Sequence, residues 1–313
     1  MRILVTGGAG FIGSHIANQC LAKGWEVAVL DNLSSGNREN VPTAARFEEI
    51  DIRDADAVEK VIADFKPTHV SHQAAQASVA VSVREPQMDA EVNILGSLNL
   101  MTSAAKHGVE RFLFASTGGA IYGEVPDGTR ASLDTPPNPM SPYAASKFAT
   151  EKYLSCFKNE HRLDYRILRY ANVYGPRQDP HGEAGVVAIF MNRLLAGESI
   201  QINARKEAGD SGCVRDYVYV DDVVAANIGS MENTITQPVI NICTGVDTDT
   251  LTLAKTIESA LGVTVEKSFT PLRPGDVERS VLDPCDIESA LGGTVSLVDG
   301  IAATAEWFGA KSA

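Results

Sequence analysis

The chain is 313 residues long, which allows one large domain or two. Its apolar fraction of 44% and charged fraction of 21% are those of a soluble globular protein. The net charge of −13 argues against a nucleic-acid partner, because a phosphate backbone requires an excess of basic residues.

Cysteine usage and hydropathy indicate the compartment. The five cysteines are scattered and form no C-x-x-C pair, which predicts free thiols in a reducing environment. The N-terminal apolar run is only as long as a strand and breaks at glycines, and no apolar stretch reaches about 18 residues. We therefore expect a cytoplasmic protein without a signal peptide or a membrane span.

The first fifteen residues, MRILVTGGAGFIGSH, predict a dinucleotide site. A short apolar strand over 2–6 and a helix over 12–22 flank three glycines at G-x-x-G-x-x-G spacing, namely Gly7, Gly10 and Gly13. Such glycines allow a tight turn, close approach of the backbone to a pyrophosphate and packing of helix on strand. The helix N-terminus then faces the phosphates.

A second strand over 25–30 ends at Asp31. A carboxylate at this place would accept hydrogen bonds from the adenosine ribose hydroxyls and repel a 2′-phosphate. The predicted cofactor is therefore NAD rather than NADP.

Strands and helices continue to alternate through the first half of the chain. Further strands are predicted at 45–52, 68–75, 111–116 and 165–170, and helices at 55–65, 88–107 and 143–161. Short links between such elements predict a parallel sheet with right-handed crossovers and helices on both faces. We expect an α/β fold, a Rossmann-type doubly wound parallel sheet whose ligands lie beyond the carboxyl ends of the strands.

The regular alternation ends near residue 173. Beyond it the pattern predicts loops at 174–185 and 203–214, helices at 186–196, 218–229, 251–261 and 298–308, and a strand at 239–243 that rejoins the main sheet. We predict an NAD-binding Rossmann domain over 1–173, rejoined by about 214–244. A smaller, mixed α/β substrate-binding domain is predicted over 174–213 and 245–313.

The segment SPYAASK places Tyr143 and Lys147 four residues apart, so both side chains project from one face of a helix. A tyrosine of pKa ~10 is a poor base at neutral pH, but a neighbouring ammonium and a positive nicotinamide ring favour the phenolate. Thr117, at the end of the strand 111–116, could hydrogen-bond the substrate oxygen that Tyr143 deprotonates. By itself, a Tyr–Lys pair at this spacing is also common on exposed helices.

Together these motifs resemble the extended short-chain dehydrogenase/reductase family, and the resemblance covers essentially the whole chain. Within that family the likeness is closest to the UDP-glucose 4-epimerases. It is carried by the stretches TGGAGFIGSH, DNLSSG, DI at 51–52, HQAAQASV, VNILGSLNL, STGGAIYG, SPYAASK, RYANVYGPRQ, VRDYVYVDDV and RPGD.

The resemblance implies roles for individual residues. Tyr143 would be the base, Lys147 its partner and a ligand of the cofactor ribose, and Thr117 the hydrogen-bonding hydroxyl. Adenine would be contacted by Asp51 and Ile52. The other implied cofactor ligands are Phe11, Ile12, Asn32, Ser35, Gly36, Ala74, Ala75, Gln76, Asn93, Ala115 and Tyr170. The implied substrate ligands, besides Thr117 and Tyr143, are Asn172, Arg215, Arg273, Asp276 and Ser280.

The chemistry implied is inversion at C4 of a UDP-hexose. Tyr143 would remove the 4-hydroxyl proton as the C4 hydride passes to NAD, and the resulting 4-keto sugar would turn over before the hydride returns to its other face. Because NAD is regenerated in each cycle, it should be held tightly. The resemblance also implies a homodimer, formed through helices such as 88–107 and 143–161.

Substrate breadth is expected to depend on Ser280. In the epimerases that the chain resembles, the seventh residue after the arginine of R-P-G-D closes one wall of the sugar pocket, and a tyrosine there restricts the site to plain hexoses. Serine is small and offers a hydroxyl, so the UDP-N-acetylglucosamine/galactosamine pair would also fit.

Three other functions stay open at this stage. A sugar-nucleotide 4,6-dehydratase carries an Asp-Glu pair after the threonine, where this chain has Gly118 and Gly119. A 4-epimerase for a UDP-uronic acid or UDP-pentose would have the same motifs. A non-catalytic NAD-binding regulator would usually lack one of the three catalytic residues. No metal site is predicted, because His69 and His72 lie on opposite faces of a strand.

Overall fold

A repeating strand–helix unit builds the first half of the chain. The computed structural model describes residues 1–180, 185–271 and 277–312. Up to residue 170 its elements are β1 (Arg2–Thr6), α1 (Phe11–Ala22), β2 (Glu26–Asp31), β3 (Arg46–Glu49), α2 (Ala55–Phe65), β4 (His69–His72), α3 (Val79–Arg84), α4 (Pro86–Ala90), a π-helix (Glu91–Gly96), α5 (Ser97–Lys106), β5 (Arg111–Thr117), α6 (Gly118–Ile121), α7 (Pro142–His161) and β6 (Asp164–Tyr170).

Shorter strands dominate the second half. The elements after β6 are β7 (Asn172–Tyr174), α8 (Val186–Leu195), β8 (Ile200–Asn203), β9 (Val214–Arg215), β10 (Tyr217–Tyr219), α9 (Val220–Met231), β11 (Val239–Ile242), β12 (Thr248–Asp249), α10 (Thr250–Leu261), β13 (Lys267–Thr270), β14 (Arg279–Ser280), α11 (Cys285–Leu291) and α12 (Leu297–Ser312).

Local signals in the sequence set where the long helices begin. Asp54 caps α2, because its carboxylate accepts the backbone N–H of Ala57 at 3.0 Å. Ser141 caps α7 in the same way, through the N–H of Ala144 at 3.2 Å. Pro142 follows in the first turn of α7, where a missing N–H costs nothing.

Most of the predicted elements are confirmed, and α2 has the predicted bounds. The strand predicted over 68–75 is shorter, because only residues 69–72 pair with neighbouring strands. The single helix predicted over 88–107 is wrong in detail. The helical stretch begins at Pro86 and contains the π-helix, and the separate helix α3 precedes it.

The main sheet has seven strands in the order β11-β6-β5-β4-β1-β2-β3 and is parallel. Strand β1 lies between β2 and β4, with Ile3 aligned to Val27 of β2 on one side and to His69 of β4 on the other. The chain order reverses between β1 and β4, which is the switch point at which doubly wound sheets bind ligands. The fold is therefore Rossmann-type, as predicted, and the predicted strand 239–243 does rejoin this sheet as β11.

An apolar core joins this sheet to its helices. Strand side chains and helix side chains that are fully buried meet there, including Leu4, Val70, Phe112, Val58, Ile62, Leu100 and Leu154. No helix within the described ranges combines the length and the apolarity needed to cross a bilayer.

Contacts divide the chain into two compact units. Unit 1 comprises residues 1–117, 139–169 and 223–240, and unit 2 comprises 118–138, 170–222 and 241–313. Unit 2 contains small sheets, in which β7 pairs with β10, β8 pairs with β13, and β9 lies between β12 and β14. The domain boundaries predicted from the sequence stay a prediction.

Candidate active site

The turn between β1 and α1 requires its glycines. Gly7 has a φ of +67°, and a Cβ atom on it would lie 2.6 Å from the backbone nitrogen of Ala74. A Cβ atom on Gly13 would lie 2.2 Å from the carbonyl oxygen of Gly7. Helix α1 begins at Phe11, and Gly10 before it supplies no side-chain cap. Because N–H groups at a helix start attract anions, this turn fits the pyrophosphate of NAD.

Asp31, at the end of β2, is tied to the glycine turn. Its Oδ2 accepts the backbone N–H of Ala9 at 2.9 Å, and its Oδ1 accepts that of Leu33 at 2.9 Å. Burial raises the pKa of Asp31, against the lowering effect of these two N–H groups. A Cβ atom on Gly36 would lie 2.9 Å from Oδ1, so the predicted loop residue Gly36 lies directly beside the carboxylate.

Asp51, predicted at adenine, follows β3 and is linked to the loop after β2. Its Oδ2 accepts a hydrogen bond from Nδ2 of Asn32 at 2.9 Å. The hydrogen-bonded Arg53 guanidinium lowers the pKa of Asp51 to about 2, so this side chain is a carboxylate at neutral pH. The neighbouring Ile52 is buried, and a Cβ atom on Gly96 would lie 2.6 Å from its Cγ1.

The loop after β4 contains the predicted residues Ala74, Ala75 and Gln76. The side-chain amide of Asn93 binds both backbone groups of Gln76, accepting from its N–H at 2.9 Å and donating to its C=O at 2.9 Å. Asn93 lies in the π-helix and is 2% exposed. A π-helix turn is rare and is often found at functional sites.

Lys147 is held in the interior by the end of β5. It is 3% exposed, and its Nζ donates a hydrogen bond of 2.9 Å to the carbonyl oxygen of Ala115. The same Nζ lies 4.9 Å from the ring centroid of Phe114 and 5.9 Å from that of Tyr143. Thr117 ends β5 and is 8% exposed. The Ala115 carbonyl oxygen therefore holds the ammonium beside the Tyr143 ring.

A buried ion pair anchors helix α7, which carries Tyr143 and Lys147. Glu151 lies one turn beyond Lys147, and its carboxylate accepts two bonds from Arg169 of β6, at 2.9 Å from Nε and 2.6 Å from Nη2. It also accepts the hydroxyl of Ser116, next to Thr117, at 2.6 Å. Glu151 thus joins α7 to β5 and β6, two of the strands whose ends carry predicted site residues. The sequence analysis missed it, because a lone glutamate on a helix looks like surface charge.

The predicted substrate residue Asn172 belongs to unit 2. Its backbone N–H and its Nδ2 both donate to the carbonyl oxygen of Asp216, at 2.9 and 3.2 Å. The Asp216 carboxylate is fully buried and accepts N–H groups of Thr244 and Gly245, at 2.8 and 2.9 Å. Burial raises the pKa of Asp216. This aspartate, which the sequence analysis did not single out, fixes the segment that carries Asn172.

Arg215 and Ser280 are neighbours in unit 2. Strands β9 and β14 pair in parallel with Arg215 aligned to Ser280, and Arg215 Nη1 donates to the carbonyl oxygen of Val214 at 3.0 Å. Ser280 is 1% exposed. The preceding Arg279 is 2% exposed and binds Asp247 through Nε and Nη2, at 2.9 and 2.8 Å. Arg273 and Asp276 lie outside the described residues.

Apart from Asn93 in the π-helix and Tyr143 and Lys147 on α7, the predicted cofactor residues lie at or after the carboxyl ends of strands. Some of them follow a strand: β1 (Gly7, Gly10, Phe11, Ile12, Gly13), β2 (Asn32, Ser35, Gly36), β3 (Asp51, Ile52) and β4 (Ala74, Ala75, Gln76). The others lie among the last residues of a strand: β2 (Asp31), β5 (Ala115) and β6 (Tyr170). Parallel strands end at one edge of their sheet, so the order of motifs along the chain becomes a row of groups in space.

Comparison with known proteins gives the family. The model of the NAD dependent epimerase/dehydratase family matches residues 3–243. The chain belongs to this family. It is 45% identical to the UDP-glucose 4-epimerase of Mycolicibacterium smegmatis, over all of both chains.

Two crystal structures of bacterial UDP-glucose 4-epimerases are similar to the chain. The Thermus thermophilus complex with NAD has a TM-score of 0.94 and 54% identity, covering 98% of this chain and 99% of that one. The Thermotoga maritima complex with UDP-glucose has a TM-score of 0.94 and 48% identity, covering all of both chains. As in the rest of its family, NAD is the cofactor of this chain.

The family contains epimerases and dehydratases, and the residues after Thr117 bear on the choice. Gly118 and Gly119 begin α6 without a carboxylate. A Cβ atom on Gly119 would lie 3.6 Å from Nδ2 of Asn172, so that amide faces the position at which a dehydratase carries its second carboxylate. Within the described ranges, no three His, Cys, Asp or Glu side chains form a group that could hold a metal ion.

Proposed function

We propose that this protein inverts C4 of a UDP-hexose, converting UDP-glucose and UDP-galactose into one another through a 4-keto sugar. The observation that carries the proposal is the fixed ammonium of Lys147, 2.9 Å from the Ala115 carbonyl oxygen and 5.9 Å from the Tyr143 ring, on a helix whose neighbouring strand ends at Thr117. The activity named for relatives of 45% and 54% identity supports it.

Bound NAD supplies the acceptor and then the donor of the C4 hydride. The chain's own residues move the proton. Tyr143 takes the proton of the substrate 4-hydroxyl and returns it to the same oxygen once the sugar has turned, so that no net proton is consumed. Lys147 lowers the free energy of the phenolate through its charge, and Thr117 holds the substrate oxygen by a hydrogen bond.

The substrate assignments in unit 2 complete the proposal. Asn172 would contact the sugar nucleotide, and Arg215 the diphosphate, where a guanidinium binds two phosphate oxygens at once. Arg273 and Asp276 would act at the diphosphate and ribose. With the nucleotide anchored at these residues and the ketone held only by Thr117 and Tyr143, the sugar is free to present its other face.

Two alternatives have specific tests. A 4,6-dehydratase would need an acid and a base to eliminate water, and Gly118 and Gly119 supply neither. A 4-epimerase for a UDP-uronic acid or UDP-pentose would use the same catalytic residues. We would incubate the purified protein with UDP-galactose and no added reductant, and separate the products. Formation of UDP-glucose supports the proposal, and formation of a 4-keto-6-deoxy sugar indicates a dehydratase. No reaction with UDP-galactose, together with epimerisation of a UDP-uronic acid or UDP-pentose, indicates a 4-epimerase for that sugar.

Ser280 is proposed as the residue that admits the N-acetyl pair. It is small, and its register beside Arg215 places it in the sheet that carries a proposed diphosphate ligand. UDP-N-acetylglucosamine and UDP-N-acetylgalactosamine should therefore be substrates. A protein that epimerises UDP-galactose but ignores both N-acetyl sugars would contradict this assignment and leave the main proposal intact.

We further propose a cytoplasmic homodimer. Exposed apolar side chains lie on helices of unit 1, namely Val83 at 63%, Leu95 at 54% and Tyr153 at 42% exposure. All five cysteines are free thiols, which fits a reducing compartment. Light scattering at micromolar concentration should give the mass of two chains, and Leu95→Asp should halve it. A wild-type mass of one chain would contradict the dimer. Detection of the protein outside the cells that produce it would contradict the cytoplasmic location.

A further inference from the structure

Asp89 is a buried carboxylate that holds two amide side chains. It lies on α4 and is 1% exposed. Its Oδ1 accepts hydrogen bonds from Nδ2 of Asn93 at 3.0 Å and from Nε2 of Gln76 at 2.8 Å. Asp89 and Asn93 are four residues apart on one helix face, so the helix itself presents the carboxylate to the amide.

The orientation of both amides follows from this carboxylate. A carboxylate oxygen only accepts, so the NH2 group of each amide must face Asp89. With its NH2 group there, Asn93 turns Oδ1 to the N–H of Gln76. Gln76 likewise turns Oε1 to the backbone N–H of Ser78 at 2.6 Å, and Ser78 is the N-cap of α3. One acceptor thus sets four bonds that fix the loop between β4 and α3.

This loop lies against the glycine turn. A Cβ atom on Gly7 would meet the nitrogen of Ala74 at 2.6 Å and its Cα at 2.8 Å, so the two backbones are in direct contact. Any displacement of the loop by a few tenths of an ångström therefore changes the cradle that fits the pyrophosphate. The link runs from Asp89 through Gln76 to this contact, entirely within unit 1.

We infer that Asp89 is a positioning residue for the dinucleotide, acting through Gln76 and Asn93 and touching neither cofactor nor substrate. The inference rests on the proposed assignment of residues 74–76 and Asn93 to the cofactor site. A carboxylate is an expensive residue to bury, and no side chain in the described part of the chain forms an ion pair with Asp89. Its contribution is to hold two amides in one orientation.

Two variants separate the acceptor from the charge. Asp89→Leu removes the acceptor and keeps the number and branching of the side-chain heavy atoms, whereas Asp89→Asn can keep Oδ1 in place without the charge. The control is Glu91→Gln, an exposed position two residues further along, whose ion pair to Arg53 spans 3.8 Å. We would count NAD per chain after gel filtration and measure the NAD dissociation constant of the stripped protein.

Asp89→Leu should weaken NAD binding at least tenfold and lower the NAD content on gel filtration, while the UDP-galactose KM at saturating NAD stays within twofold. Asp89→Asn should bind NAD within threefold of wild type, like the control. Unchanged NAD binding in Asp89→Leu, or an equal loss in Asp89→Asn, would overturn the inference. If Asp89→Leu does not fold, Asp89→Ala takes its place and should show the same loss. Bound NAD is counted without turnover, so the result stands apart from the proposed epimerase activity.

Discussion

Replacing Glu151 by glutamine should destabilise unit 1 strongly, although the side chain keeps its size. Glu151 is 3% exposed and Arg169 is 7% exposed, and they share two hydrogen bonds of 2.9 and 2.6 Å. Removing one partner of a buried pair costs about 3–5 kcal/mol, because the other charge stays buried without compensation. Glutamine keeps one oxygen that can accept from Ser116 or Arg169, so we expect about 3 kcal/mol.

Thermal unfolding of the NAD-saturated protein measures this effect. For a domain of 150–250 residues, about 3 kcal/mol corresponds to a Tm lower by roughly 6–12 °C. Glu160→Gln, at an exposed position on the same helix, is the matched control and should stay within about ±0.5 kcal/mol. The double variant Glu151→Gln/Arg169→Met removes both charges and should be no less stable than either single variant.

Two results would refute this reasoning. A Tm within about 2 °C of wild type for Glu151→Gln would mean that the pair contributes little, as exposed pairs do. Additive losses in the double variant would mean that Glu151 and Arg169 act independently.

The same substitution should affect turnover. Glu151 accepts the hydroxyl of Ser116, and Lys147 on the same helix binds the neighbouring Ala115 carbonyl oxygen. An α7 that is held less firmly should therefore lower kcat by a larger factor than it raises KM.

Four further predictions concern the site. Tyr143→Phe should lower kcat by ~10²-fold or more without loss of bound NAD; near-normal turnover would assign the proton to another group. Asp31→Asn should weaken the preference for NAD, lowering the dissociation constant of NADP divided by that of NAD by ~10-fold. An unchanged ratio would mean that another residue contacts the ribose. Ser280→Tyr should lower kcat/KM more for the N-acetyl pair than for UDP-glucose and UDP-galactose, with Ser280→Ala as control. Equal losses on both pairs would show that Ser280 does not select between them. Burial and the Lys147 charge lower the pKa of His72 to about 3. The unfolded chain alone takes up this proton below pH 6.5, so stability should fall by up to ~1.4 kcal/mol per pH unit there, and an NMR midpoint near 6.5 in the folded protein would contradict this.

The glycine turn and the outline of the main sheet could be predicted because their signals are local. Gly7 needs its positive φ within a short segment, and α2 has a strong apolar stripe behind a capping aspartate. The π-helix could not be predicted, because one of the bonds at its Asn93 carbonyl oxygen comes from a distant part of the chain. That oxygen accepts the hydroxyl of Ser97 at 2.6 Å and that of Thr150 at 3.0 Å, and Thr150 is 57 residues away along the chain.

Other missed features depend on pairs that are distant along the chain. Glu151 and Arg169 each look like solvated charges until helix and strand pack together. Strands β9, β12 and β14 have two residues each, too few for alternation to show. The buried Asp216 likewise follows an arginine in a motif, where the sequence draws attention to the arginine alone.

The position of β11 at the edge of the main sheet has a consequence for synthesis. Its partner β6 leaves the ribosome about 70 residues earlier, and the bonds from Ile167 to Pro238 and from Ala171 to Ile242 cannot form before the later residues exist. At 5–20 residues per second, β6 waits about 4–14 s with one row of backbone groups unpaired. During this interval the nascent chain is exposed to strand exchange and chaperone capture at β6. In the finished sheet β11 covers that row of β6 and is itself the edge strand.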